Sequence, residues 1–237
     1  MSHDYSSFNP RLSVKSVVDS ALDLMEWQTF DLPDADVRLT QFCSGDEAAH
    51  WFARLHAEIP WERHRLRLFG REVDSPRLSS WVGDADAVYT YSGTRFSPHA
   101  WTPTLSELRG ILLARYGERC NSVLANLYRN GRDSMGWHSD DEPELGAAPV
   151  ILSFSFGGVR RFRLRHRRDP RLRLELDLPS GSLLRMAGST QRFYRHDLPK
   201  TARAVAPRIN LTFQARDQCL RFFSRWMART ISSCRST

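Results

Sequence analysis

Several residue types are scarce in the sequence, and each shortage excludes a class of protein. Four cysteines occur in 237 residues, and none has the Cys-x-x-Cys spacing of a zinc or redox motif. Scattered cysteines predict reduced thiols in the cytoplasm and argue against a disulfide framework or a structural zinc site. Their positions are Cys43, Cys120, Cys219 and Cys234.

Long apolar runs are also missing. No stretch approaches the roughly 18 apolar residues that a membrane-spanning helix needs. Residues 1–20 contain acidic side chains and no apolar run of the kind found in secretory signals. With 41% hydrophobic and 26% charged residues, the composition is typical of a soluble globular domain. We therefore expect one cytoplasmic, monomeric domain without a membrane partner.

Lysine is almost absent, although the net charge is strongly positive. Lys15 and Lys200 are the only lysines among 34 basic residues, the formal net charge is +7 and the sequence pI is near 9.7. Arginine suits bidentate phosphate contacts and stacking on bases, so this charge favours a nucleic-acid partner. A genome rich in G and C would enrich arginine for unrelated reasons, and that alternative stays open.

Helical patterns come first in the chain, and strand patterns follow. Residues 45–59 and 104–117 have apolar side chains at helical spacing; in the second segment Thr104 and Glu107 make a capping-box pattern and Gly117 ends it. Apolar residues then recur at every second position. This order predicts an α+β fold with a sandwich or barrel of antiparallel strands. The predicted strands are 122–129, 150–157, 160–165, 171–178, 181–186 and 208–214.

The two ends of the chain differ from this domain. Residues 1 to about 20 lack a strong pattern, and residues 1–27 are predicted to form an N-terminal arm. Residues 217–237 form a basic amphipathic tail, which either packs its apolar face on the core or lies on nucleic acid or a membrane surface. The apolar face holds Leu220, Phe223, Trp226 and Met227, and the arginines are Arg221, Arg225 and Arg229.

The segment GWHSDDE, residues 136–142, has the spacing of a metal site. His138 and Asp140 are two residues apart, which directs both side chains to one side of an extended segment. Two histidines and one carboxylate on one face of the metal are the ligands of non-haem iron(II) oxygenases. His196 is the best-placed third ligand, while His166 lies in an arginine-rich turn and is expected to be solvated.

Two predicted strands carry polar side chains on one face. Arg208, Asn210, Thr212 and Gln214 alternate with apolar residues, and Asn126 and Tyr128 alternate in the same way. Such groups are costly inside a barrel unless a ligand satisfies them. A bound dicarboxylate would do so.

Five short segments, taken in order, resemble the AlkB family of iron(II)- and 2-oxoglutarate-dependent dioxygenases. The likeness is strongest to the branch that dealkylates nucleic acids and covers roughly residues 28–216. It implies a double-stranded β-helix (jelly-roll) core, at about residues 118–216. The segments are NLYRNGRDSMGWHSDDE (126–142), SFSFGGVRRF (153–162), SGSLLRM (180–186), RFYRHDLPK (192–200) and APRINLTF (206–213).

The resemblance also implies roles for individual residues. Iron would be held by His138, Asp140 and His196, and O₂ is the oxidant. Arg208 would pair with the distal carboxylate of 2-oxoglutarate, while Asn126 and Tyr128 would hydrogen-bond to the cosubstrate. Asn210 and Gln214 belong to the same binding set.

A further segment, SPRLSSWVGDADAVYTYSG at residues 75–93, resembles the nucleotide-recognition lid of the family, which would span about residues 65–100. Tyr89 and Tyr91 are alternatively residues that only pack the lid. Replacing Arg77 is expected to weaken nucleic-acid binding without changing 2-oxoglutarate turnover in the absence of substrate. The residues implied to contact the damaged base and its backbone are Arg77, Trp81, Tyr89, Tyr91 and Ser92, with Asp141 and Glu142 near the base edge.

The implied reaction is oxidative demethylation of bases such as 1-methyladenine and 3-methylcytosine in DNA, with RNA as an alternative. It would release formaldehyde and succinate, and it would repair alkylation damage by direct reversal. The methylated atoms lie on the pairing edge, so a duplex substrate must extrude the nucleotide. Two other readings remain: an oxygenase that acts on a protein or small molecule, and a nucleic-acid binder without catalysis.

One position departs from the family pattern. Where the family has a closing arginine, this sequence has Gln214, which keeps a donor but loses the charge. Arg216 lies roughly 6.6 Å further along the same strand face and would reach the site only by folding back. Gln214 alone therefore predicts weaker binding of 2-oxoglutarate or iron, by about 1–2 kcal/mol.

Overall fold

The structure is a computed structural model that describes residues 26–68, 71–87, 89–91 and 94–216. The predicted N-terminal arm, apart from its last two residues, and the basic tail therefore lie outside the described residues. Within the described part, no helix is long and apolar enough to cross a membrane.

Fifteen strands and three α-helices follow one another in the described residues. The helices are α1 (Gly45–Glu58), α2 (Pro103–Tyr116) and α3 (Thr190–Phe193). The first strands are β1 (Gln28–Phe30), β2 (Asp36–Gln41), β3 (Arg65–Leu68), β4 (Arg71–Asp74), β5 (Leu78–Gly83), β6 (Tyr89–Tyr91) and β7 (Thr94–Phe96). The others are β8 (Ser122–Tyr128), β9 (Met135–His138), β10 (Ile151–Gly157), β11 (Arg160–His166), β12 (Arg173–Leu178), β13 (Ser182–Ala187), β14 (Tyr194–Leu198) and β15 (Arg208–Gln214).

Two antiparallel sheets form the body of the fold. The major sheet has seven strands in the order β1-β2-β13-β10-β15-β8-β5, and the minor sheet has four in the order β12-β11-β14-β9. The hairpins β3-β4 and β6-β7 are separate two-stranded sheets. The predicted α+β class and jelly-roll core are confirmed. Strand β5, which falls inside the predicted lid range, pairs with β8 in the major sheet.

The period-two patterns explain how each strand faces the core. In β10, Leu152, Phe154 and Phe156 pack with the helices, while Ser153 and Ser155 lie on the opposite face of the strand. One apolar cluster joins α1 and α2 to the outer face of the major sheet. A second cluster fills part of the space between the sheets, with side chains from β10 and β13 meeting those of β11, β12 and β14.

Helix α2 begins two residues earlier than the sequence pattern predicted. The capping box expected from Thr104 and Glu107 is wrong, because Thr102 is the N-cap and its side chain accepts a hydrogen bond from the backbone N of Leu105 (3.3 Å). Pro103 then occupies the first turn, where its missing N–H costs nothing. Thr104 instead hydrogen-bonds to the carboxylate of Glu58 on α1, which ties the two helices together.

Candidate active site

A polar pocket lies between the two sheets. The major sheet contributes residues of β8 and β15, and the minor sheet contributes residues of β9 and β14. Most of the side chains predicted to bind metal or cosubstrate line this pocket, namely Asn126, Tyr128, His138, Asp140, His196, Arg208 and Asn210.

Three potential metal ligands meet at one end of the pocket. His138 and His196 are directly opposite each other on β9 and β14, with ring centroids 4.1 Å apart. The Asp140 carboxylate lies 3.8 Å from the Nε2 atom of each histidine, and one ligand atom from each residue lies within 4.8 Å of the others. Two imidazoles and one carboxylate at this spacing match the donor set of a facial iron(II) site.

One hydrogen bond and the burial of two side chains make this group suitable for binding a metal ion. The Nδ1 atom of His138 is 2.9 Å from the carbonyl oxygen of Gly136, which can only accept, so Nδ1 is the donor in this contact and Nε2 is the atom that faces Asp140. Burial lowers the pKa of His196 well below its usual value, and the neighbouring imidazole of His138 adds to this effect, so His196 is neutral, as a metal ligand would have to be. Burial raises the pKa of Asp140, which makes a nearby cation favourable.

Arg208 is a buried cation that does not use all of its hydrogen-bond donors within the described structure. Its side chain is 2% exposed, and Nη2 donates to Oγ of Ser155 at 2.8 Å. The Nε and Nη1 atoms are buried without a hydrogen-bond partner in the described structure. Burial lowers the pKa of Arg208 to about 10, so it remains charged at neutral pH. Unsatisfied donors on a buried guanidinium fit the carboxylate of 2-oxoglutarate.

The neighbours of Arg208 are held in register. Arg208 is opposite Tyr128, and Asn210 is opposite Asn126, across the β15-β8 ladder. Asn210 donates from Nδ2 to Oγ of Ser153 (2.7 Å). The sequence interpretation did not single out the two serines of β10. The sequence pattern could have identified them, because the two serines alternate with apolar residues in ILSFSFG and so share one face of the strand.

The residues predicted to contact substrate differ in their exposure and in their hydrogen-bond partners. Arg77 donates from Nε to Oδ1 of Asn126 at 2.6 Å, which joins it to the cosubstrate pocket. Trp81 is 8% exposed, and its Nε1 donates to the carbonyl of Ala87. Asp141 is exposed and pairs with Arg167. Their contacts with a base stay predictions.

Other predicted positions fall at the rim or outside the described residues. Glu142 is partly buried, and burial raises its pKa, with the Asp140 charge adding to the rise. The Tyr89 and Tyr91 side chains and all of Ser92 lie outside the described residues. His166 is not part of the ligand group among the described residues. Its Nδ1 accepts hydrogen bonds from the backbone N atoms of Arg168 and Asp169.

Gln214 is buried at the end of β15, and Arg216 lies beside it. The Oε1 atom of Gln214 accepts a hydrogen bond from Nη2 of Arg216 at 3.3 Å. The Arg216 side chain therefore folds back along the strand toward Gln214. The sequence predicted that Arg216 could reach the site only by folding back in this way.

Comparison with known proteins places these features in a family. Residues 36–214 match the model of the 2OG-Fe(II) oxygenase superfamily. The chain is 36% identical over 193 residues to human Alpha-ketoglutarate-dependent dioxygenase alkB homolog 3, covering 78% of this chain and 62% of the relative. It is 35% identical over 198 residues to human DNA oxidative demethylase ALKBH2, covering 79% of this chain and 76% of the relative.

The first of these relatives are longer than the matched region. The chain spans about three fifths of the length of the mammalian alkB homolog 3 proteins that it matches. Among solved structures, OsALKBH1 superposes with a TM-score of 0.56 at 16% identity, covering 80% of this chain and 100% of that one. That likeness bears on the fold alone.

Proposed function

The chain belongs to the AlkB family of the 2OG-Fe(II) oxygenase superfamily, and on that premise we propose that it oxidatively demethylates N-alkylated bases in nucleic acid. The observation that carries the proposal is the His-Asp-His group beside a buried arginine with unsatisfied donors. A metal site of this kind next to an anion pocket is what an oxygenase that consumes 2-oxoglutarate requires.

His138, Asp140 and His196 would hold iron(II), which when bound supplies the activation of oxygen. Arg208 would bind the distal carboxylate of 2-oxoglutarate through its free Nε and Nη1 donors. Asn126, Tyr128 and Asn210 lie on the same wall and would orient the rest of the cosubstrate. Because neighbouring strands hold these residues in register, the proposed site would be organised before the ligand arrives.

The minor sheet supports a nucleic-acid substrate. Arg165 on β11 is directly opposite Arg173 on β12 and Arg195 on β14, and all three are exposed. Like charges in direct opposition destabilise a sheet, so this row favours an external anion. The Trp137 ring lies 4.5 Å from the Arg165 guanidinium and precedes the ligand His138. Phosphates bound at this face would lie close to the metal site.

The lid would then present the damaged base to the metal. Arg77 is already at the pocket, and Asp141 and Glu142 follow the ligand Asp140 directly, where they would face the edge of the base. Trp81, Tyr89, Tyr91 and Ser92 complete the proposed recognition set. DNA is the proposed substrate, with N1 of adenine and N3 of cytosine as the methylated atoms, and RNA is the alternative.

The proposed setting is a monomer in the cytoplasm. The free thiols of Cys43 and Cys120 support a reducing compartment. Burial raises the pKa of Cys43 to about 11 and that of Cys120 to about 12, so neither thiol is reactive at neutral pH.

Mass spectrometry of a 1-methyladenine oligonucleotide tests the proposal. With iron(II), 2-oxoglutarate and oxygen, the wild-type protein should remove 14 mass units, about the mass of one methylene group, while His196→Ala should not. Succinate formation with protein or small-molecule substrates, but not with any alkylated oligonucleotide, would favour the alternative oxygenase. Bound metal and 2-oxoglutarate without any turnover would favour a binder.

A further inference from the structure

Beyond the end of strand β15 lies a buried arginine that the family pattern does not contain. Arg216 is 6% exposed, although it follows the strand in sequence. Its backbone is held on both sides by one residue, because Asn121 Oδ1 accepts from Arg216 N and Asn121 Nδ2 donates to Arg216 O, both at 2.8 Å. The side-chain amide of Asn121, the residue before β8, thus holds the backbone of Arg216 just beyond the end of the β15-β8 ladder.

The guanidinium of Arg216 has specific neighbours. It lies 4.9 Å from the centre of the Trp81 ring, and its Nη2 atom lies 3.3 Å from Oε1 of Gln214 and 3.8 Å from Oε1 of Glu142. A guanidinium only donates, so the Gln214 atom that faces it is the amide oxygen. The amide NH₂ of Gln214 is thereby turned away from Arg216.

The guanidinium of Arg216 also approaches the segment that carries two of the proposed metal ligands. It lies beside the carboxylate of Glu142, two residues after Asp140, and beside Gln214 on the strand that carries Arg208 and Asn210. A buried charge is costly unless it is paired, and here the aromatic ring, the amide oxygen and the carboxylate together provide the pairing.

We propose that Arg216 is a positioning residue that returns to the metal site the positive charge that Gln214 lacks, acting through Gln214 and Glu142. This inference rests on the proposed iron and 2-oxoglutarate site. The weaker cosubstrate binding expected from Gln214 alone then does not follow, because the charge has moved two residues along the strand and folded back. Trp81 serves this arrangement as the wall against which the guanidinium packs.

Moving the charge tests the inference better than deleting it. The variants are Arg216→Gln, which removes the charge, and the double variant Gln214→Arg with Arg216→Gln, which places it at the family position. The matched control is Arg203→Gln, because Arg203 is exposed and does not line the pocket. The readouts are the Kd for Mn(II), measured by electron paramagnetic resonance, and the Kd for 2-oxoglutarate in the presence of Mn(II).

Arg216→Gln should weaken 2-oxoglutarate binding by about tenfold, as expected when one charge-assisted contact is lost. The double variant should recover to within about threefold of wild type, and a merely structural role for Arg216 would not produce this rescue. Equal binding by wild type and Arg216→Gln, or a double variant no better than Arg216→Gln, would overturn the inference.

A second variant covers the case in which Arg216→Gln does not fold. Asn121→Ala removes the backbone clamp and keeps the guanidinium, so it should weaken 2-oxoglutarate binding by about threefold; unchanged binding with an unchanged circular dichroism spectrum would count against Arg216. Failure of the proposed function looks different, because the wild-type protein itself would then bind neither Mn(II) nor 2-oxoglutarate.

Discussion

The two sheets that enclose the pocket hold chemically different halves of the site. On the major sheet, Arg208 and Asn210 lie on β15, an interior strand paired on both sides by β10 and β8. On the minor sheet, His138 lies on the edge strand β9, which pairs with β14 through His138–His196 and Met135–Leu198 with an irregularity between them. The proposed anion-binding wall is therefore built into a continuous ladder, while the proposed metal end depends on a short edge strand.

The outer faces of the sheets differ in the same way. Helices α1 and α2 cover the major sheet with an apolar cluster, so that sheet offers its chemistry only inward. The minor sheet exposes arginines to solvent, some paired with acids and others opposite one another. One sheet thus suits a small dicarboxylate, and the other suits both a metal and a large polyanion.

The largest effect is expected from breaking the metal half. His138→Ala, Asp140→Ala or His196→Ala should each reduce demethylation to background, because two ligands hold the ion poorly and no longer direct its open positions. Each should also lose Mn(II) binding, measured by electron paramagnetic resonance. Asp141→Ala is the matched control for metal binding, since Asp141 is the adjacent carboxylate and is exposed. Mn(II) affinity that survives His196→Ala would show that the third ligand is assigned wrongly.

The anion half should fail in a different manner. Arg208→Met should weaken 2-oxoglutarate binding by about 2–3 kcal/mol, or roughly 30- to 150-fold, while Mn(II) binding persists. Without ligand, the variant should be as stable as wild type or more so, because an incompletely paired buried charge is replaced by an apolar side chain. Thermal unfolding with and without 2-oxoglutarate measures both effects. A large loss of stability without loss of binding would mean that Arg208 is structural.

A smaller effect should appear at the junction between lid and pocket. The sequence predicts that Arg77→Ala leaves 2-oxoglutarate turnover unchanged when no substrate is present. Because Arg77 donates to Asn126, we now expect a rise in the KM for 2-oxoglutarate of about fivefold, equivalent to about 1 kcal/mol. Steady-state succinate formation without nucleic acid measures it. An unchanged KM would restore the sequence-based expectation.

The smallest effect should come from the outer face of the minor sheet. Arg165→Gln should weaken oligonucleotide binding two- to fivefold and lower the slope of log K against log salt by about 1. Arg161→Gln is the matched control on the same strand, because Arg161 is already paired with Asp177 at 2.9 Å. Fluorescence anisotropy between low and moderate salt gives both slopes. Equal slopes for the two variants would remove the arginine row from the interface.

The sequence predicted six of the fifteen strands in the described residues, all of them after residue 120, and it missed β9 and β14, which carry the two histidines of the candidate metal site. The prediction for residues 208–214 coincides with β15, and those for 150–157 and 122–129 differ from β10 and β8 by one residue at one end. The alternation of polar and apolar residues carries this information locally, because a sheet with one buried face requires it. The helix start at Pro103 was missed for the opposite reason: two competing caps lay two residues apart, and tertiary contact with Glu58 decided between them.

The candidate site likewise has a part that the sequence predicts and a part that only the tertiary structure decides. The sequence by itself determined that His138 and Asp140 share one side of a segment and that Arg208 and Asn210 share one strand face, since period-two geometry acts within a few residues. Only the tertiary structure decided that β14 carries His196 to His138, that Arg77 reaches Asn126 and that Arg216 folds back to Gln214. Those contacts depend on sheet pairing and on the burial of a charge among side chains from distant strands, and no local pattern records either one.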